Sequence, residues 1–120
     1  GIQGARVSDA LVELNDLSPS LCDLGDVPVL ENVDAESFGA VLRGQRDEHR
    51  TETVSALGNF RCIRTATHKF IDNYNDEDEL YDLGSEPCEL RNVREANPEL
   101  CRTLSRRLRE RFVEGKWLRR

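Results

Sequence analysis

The side chains able to do chemistry are few and scattered. Cys22, Cys62, Cys88 and Cys101 are widely spaced, with no Cys-x-x-Cys. Four cysteines permit three disulfide pairings, and spacing does not choose among them. Each lies beside apolar residues or in a turn, which favours free thiols acting as small hydrophobes. His49 and His68 sit near no cysteine pair, so the ligand spacing of a zinc site is absent. Asp76-Glu77-Asp78-Glu79 offers oxygen ligands to a hard cation but lacks the glycine and spaced acids of a calcium loop. A solvated hairpin tip is the expectation there. Ser37 has no histidine nearby in sequence, so capping or packing is its reading. His68 opens a β-type run beside Lys69 and reads as a surface or sheet-packing residue. Arg102, Arg106, Arg107, Arg109 and Arg111 have the charge to contact phosphates. Their neighbourhood holds only Phe112 and Trp117 as aromatic partners, and the rest of the chain would repel a polyanion. A solvated helix face is expected, not a nucleic-acid interface. No residue is assigned a catalytic, cofactor-binding or metal-binding role.

The elements that must position these residues centre on 60–83. Phe60-Arg61-Cys62-Ile63-Arg64, Lys69-Phe70-Ile71 and Leu80-Tyr81-Asp82-Leu83 are short runs rich in β-branched and aromatic residues, separated by polar breaks. Thr65-Ala66-Thr67 suits a tight hairpin, and Asn73 to Asp78 a longer tip. Thr53 to Leu57 adds a fourth, edge strand before the break at Gly58-Asn59. An antiparallel meander needs cover on its apolar face. Leu100, Leu104, Leu108 and Phe112, with Cys101 beside them, form one stripe at helical spacing after Asn97-Pro98-Glu99, a helix start. Gly115 should end that helix and Lys116 to Arg120 form a tail. The fold class is therefore α+β: three to four antiparallel strands covered by a C-terminal amphipathic helix. Phe60, Cys62 and Ile71 are expected against the leucine stripe.

The first third is less periodic. Val7 to Asp16 suits a strand or a helix equally. A helix is expected after Asp16-Leu17, with Ser18 as cap, Pro19 in its first turn, Leu21, Cys22 and Leu24 inward, and Gly25 at its end. A second is expected over 35–42, with Asp34 as cap and Phe38, Val41 and Leu42 on one face. Gly44 to Glu52 reads as a charged linker.

Two runs carry a family resemblance. Arg64-Thr65, Lys69-Phe70-Ile71, Leu80-Tyr81-Asp82-Leu83, Pro87, Glu89 and Asn92 stand in the order usual near the C-terminus of sulfatases, in the alkaline-phosphatase superfamily. Asp16, Leu17, Pro19, Leu21, Asp23, Leu24, Val27, Pro28, Val29, Asp34, Ser37, Leu42, Arg43 and Gly44 resemble the family's join between catalytic domain and C-terminal subdomain. Asp26 and Ala35 stand where that family has glycine, and Glu86 where it has aspartate. Glycine there would permit positive φ, which aspartate tolerates and alanine resists.

The resemblance implies the end of an α/β catalytic domain over 1–48 and a C-terminal α+β subdomain over 49–120. It also implies hydrolysis of sulfate esters by the whole enzyme, with calcium or magnesium and a formylglycine from a Cys/Ser-x-Pro-x-Arg motif. No cysteine or serine here is followed by that pattern, so these groups are expected upstream, and the chain alone is expected inactive. C-terminal residues of the family sometimes line the cleft, which makes His68 a substrate-contact candidate. The implied partner is the missing N-terminal catalytic domain. Without it Leu11, Leu14, Leu21, Leu24, Phe38 and Leu42 would form an exposed patch that promotes self-association. The alternative is a stand-alone α+β interaction module, binding protein or nucleic acid through the arginine-rich helix.

Composition bounds these readings. At 120 residues the chain fits one domain or part of a larger one. No run approaches the ~20 apolar residues of a membrane helix, and no basic-then-apolar leader is seen, so a cytoplasmic location is expected. Residues 91–120 hold ten basic and four acidic side chains, leaving seven basic and nineteen acidic in 1–90. Only Lys69 and Lys116 are lysine. Salt adaptation, as in a halophile, is the first account of this acidic, arginine-rich balance; arginine-favouring codons are the other.

Overall fold

A computed structural model describes residues 2, 4, 6–29, 33–85 and 89–114. The chain divides into two compact units, Gly1–Thr51 and Glu52–Arg120. None of the described helices is long and apolar enough to cross a membrane. The expected helix end at Gly115, the tail Lys116 to Arg120, and Glu86, Pro87 and Cys88 lie outside the described residues.

The second unit holds a four-stranded antiparallel meander in the order β1 (Glu52–Leu57), β2 (Phe60–Thr65), β3 (His68–Asn73) and β4 (Glu79–Asp82), followed by α3 (Pro98–Glu114). Gly58 takes φ +57° at the first position of the two-residue β1–β2 turn, a backbone region open to glycine at no steric cost. Thr65 Oγ1 accepts from the Thr67 and His68 N–H groups at 3.3 and 3.0 Å and closes the β2–β3 turn.

Register decides which side chains meet the helix. Val54, Ile63, Phe70 and Leu80 are direct cross-strand partners in a row across all four strands. Ile63, Phe70 and Leu80 build the core with Leu104 and Leu108, and Ile63, Leu80 and Leu108 are fully buried; Val54, Leu100, Cys101, Val93 and Phe112 pack around it. Burial of each such side chain contributes about 1.5–3 kcal/mol. Phe60, Cys62 and Ile71 are not on this face, contrary to the sequence expectation. They alternate with Arg61, Ile63 and Phe70, and in a strand with a two-residue period a neighbour points to the opposite side. Phe60 is accordingly 40% exposed. The outer edge of β4 is closed by the chain before α3: Val93 N–H donates to the Leu80 carbonyl at 2.8 Å and Asn92 Oδ1 accepts from Leu80 N–H at 3.0 Å. An edge covered in this way cannot template further strands. Pro98 opens α3 as expected; the Asn97 carbonyl accepts from Cys101 N–H, while its side-chain amide donates to the Val93 carbonyl.

The first unit has a 3₁₀ turn at Leu14–Asp16, α1 (Leu17–Leu24) and α2 (Gly39–Leu42). The ambiguous segment before it forms neither helix nor strand, only a single bridge from Leu11 to Arg50. Because the 3₁₀ turn runs straight into α1, the helix starts at Leu17 and Ser18 is not its cap. Pro19 and Ser20 are its buried residues, while Leu21 is 60% exposed rather than inward. Gly25 ends α1 as expected, and Asp26 follows at φ 52°, the left-handed geometry that aspartate tolerates; Ala35 does not take a positive φ. The second helix is four residues long, not the eight expected from 35 to 42, and Asp34 does not cap it. The N–H groups of Glu36 and Phe38 are held by Asp16 Oδ1 and Ser20 Oγ, each at 2.9 Å. Residues 35–38 precede the helix, and the four-residue α2 begins at Gly39. Gly39 has the closest approach: an added Cβ would lie 2.0 Å from Asp23 Oδ2.

Candidate functional site

The most concentrated polar chemistry lies in the first unit, around a carboxylate that solvent does not reach. Asp16 and Ser20 are 0% and 1% exposed. Asp16 Oδ2 accepts from Glu13 N–H at 2.9 Å and Arg50 Nε at 2.6 Å, and lies 3.3 Å from His49 Nε2. Asp16 Oδ1 accepts from Glu36 N–H at 2.9 Å and from Arg50 Nη2. The guanidinium and carboxylate therefore meet as a two-pronged fork. Arg50 Nη2 also reaches the Asp34 carbonyl at 3.1 Å. Ser20 Oγ donates to the Asp16 carbonyl at 2.6 Å, and the Phe38 ring sits edge-on to His49 with centroids 6.0 Å apart.

Burial pushes the Asp16 carboxyl up, but the bonds from Arg50 and from the Glu36 and Glu13 N–H groups outweigh it and hold it well below the usual carboxylate range. A group so fully bonded neither exchanges a proton near neutrality nor has a lone pair left for a substrate. Its role is to tie the start of α1, the 34–38 segment and residues 49–50 into one unit. Gly44 to Glu52 is thus no solvated linker, since its Arg50 and His49 side chains are buried. Sequence reasoning missed this cluster because nothing local distinguishes Arg50 from the exposed charges beside it. A second tie is smaller: Arg43 donates to both Asp23 oxygens at 3.1 and 2.8 Å, and Ser37 Oγ to Asp23 Oδ2 at 2.7 Å. Hydrogen bonds from Arg43 and then Ser37 lower the Asp23 carboxyl. Ser37 is a packing and positioning hydroxyl.

The second unit places the remaining candidates apart from one another. His68 is half-buried at the start of β3, with Nδ1 2.9 Å from Thr67 Oγ1. The acidic tip is engaged within the fold. Glu77 pairs with Arg94 at 2.8 Å, Asp78 accepts from Asn73 N–H, and Glu79 accepts from the Asn73 amide and the Tyr81 hydroxyl. The hydrogen bond to Glu79 pushes the Tyr81 phenol up. Among the described residues no three His, Cys, Asp or Glu side chains converge as a metal site. Cys22, Cys62 and Cys101 are free, and burial pushes the Cys62 and Cys101 thiols up, which disfavours the reactive thiolate. Arg102, Arg106 and Arg109 of α3 line a groove of about 710 Å³ with Ser105, Glu110, Asp78 and Phe70.

A family model described as N-sulphoglucosamine sulphohydrolase, C-terminal, matches residues 1–116. The chain belongs to that family. An uncharacterized protein of Haemophilus influenzae is 31% identical over 91 residues, 71% of this chain and 47% of its own length. Arylsulfatase K of Gallus gallus is 31% identical over 127 aligned residues, 91% of this chain and 23% of its own length. The chain thus spans about half of one relative and about a quarter of the other. A putative sulfatase of Bacteroides thetaiotaomicron superposes with a TM-score of 0.72 at 23% identity, over 84% of this chain and 24% of that one. That likeness carries the α+β fold: a four-stranded antiparallel sheet and a C-terminal helix.

Proposed function

We propose that the chain works as the C-terminal portion of a sulfatase that hydrolyses sulfate esters, completed by a catalytic domain that precedes it. The match of a sulphohydrolase C-terminal family model over 1–116 carries this reading. The proportions of the relatives support it, because a chain covering 23% of an arylsulfatase leaves room for a separate catalytic part. The family's calcium or magnesium and formylglycine do not fit here. The carboxylates of Asp16, Asp23, Glu77 and Glu79 are engaged with arginines or with Tyr81 and Asn73. On this reading those groups reside upstream, where they supply the nucleophile and hold the sulfate. The part played here is structural: the Asp16 cluster closes the end of the catalytic domain, and the sheet and α3 form the subdomain after it.

Apolar exposure in the first unit supports a missing partner surface. Leu14 and Leu21 are 89% and 60% exposed, and Leu17, Val12, Val27 and Val29 are also open. Leu11, Leu24, Phe38 and Leu42 are only half-covered. On this reading the isolated chain should self-associate through these exposed side chains. The test is enzymatic. The isolated chain should show no turnover of an aryl sulfate, while the longer product of its coding region should carry a Cys/Ser-x-Pro-x-Arg motif and hydrolyse the same ester after maturation. Turnover by the isolated chain, or a longer product lacking that motif, would overturn the proposal.

A further inference from the structure

We draw no further inference here: the strongest candidate, the face of the sheet opposite α3 where exposed Leu57 and Phe60 adjoin Cys62 and Ile71, carries nothing because nothing in the structure shows what covers it.

Discussion

Replacing Asp16 by asparagine tests the buried cluster while keeping its size. In Asp16→Asn one carboxylate oxygen becomes an NH₂ group. That group must face either Arg50 Nη2 and Glu36 N–H or Arg50 Nε and Glu13 N–H, so donors oppose donors on one side whichever way the amide turns. Arg50, its side chain 7% exposed, keeps a buried charge without its counter-ion. Removing one partner of a buried pair costs about 3–5 kcal/mol, a large part of the ~5–15 kcal/mol that holds a typical domain together. The first unit should therefore open while the sheet and α3 remain folded. Amide hydrogen exchange reads this residue by residue. The Glu36 and Phe38 N–H groups, bonded to Asp16 and Ser20, should lose protection at neutral pH, and the Leu80 N–H in the second unit should not.

The pH dependence follows in sign. The folded carboxyl of Asp16 is depressed below its unfolded value of about 3.9, so its stabilisation is fully present above that value and is lost as the pH falls below it. The stability gap between the parent chain and Asp16→Asn should be widest above about pH 5 and narrow steadily from about pH 4 to pH 2. A double replacement, Asp16→Leu with Arg50→Met, should cost less than the two single changes added together, because no buried charge is then left unpaired. Parent-like protection of Glu36 and Phe38 in Asp16→Asn, or a gap indifferent to acid, would refute this account of the cluster.

Two further outcomes are expected. Leu104→Ala, at a side chain 1% exposed between α3 and the sheet, should cost about 2–5 kcal/mol in chemical denaturation, whereas Phe60→Ala on the opposite face should cost less than about 1 kcal/mol; equal costs would mean that the helix covers the wrong side of the sheet. The acidic excess of residues 1–90 should repel at low ionic strength, where charges interact beyond the about 10 Å screening length of 0.1 M salt, so the melting temperature should rise with potassium chloride into the molar range, and a flat or falling curve would favour codon bias over salt adaptation.

Much of the second unit was legible in the sequence. Its strands are short runs between strong turn formers, and α3 carries Leu100, Leu104 and Leu108 at an unbroken helical spacing behind Asn97-Pro98. Local propensity and periodicity act over a few residues, so both elements were readable from the chain alone. The family motifs were legible for the same reason, being ordered local patterns. What tertiary structure decided was parity and partnership. Phe60, Cys62 and Ile71 are as apolar as Ile63 and Phe70. Only the position of the helix determines which set it packs against, and a shift of one residue exchanges the two faces. In the first unit the decisive contacts run from Asp16 to residues 20, 34 and 33 positions away, and their donors include backbone N–H groups of no particular residue type. The Glu36 and Phe38 N–H groups are likewise held by side chains 20 and 18 positions away, contacts that no local pattern announces. Tertiary structure also made Arg50, to all local appearance a linker charge, the buried counter-ion of Asp16, because a carboxylate taken from water must find a partner wherever the fold brings one within reach.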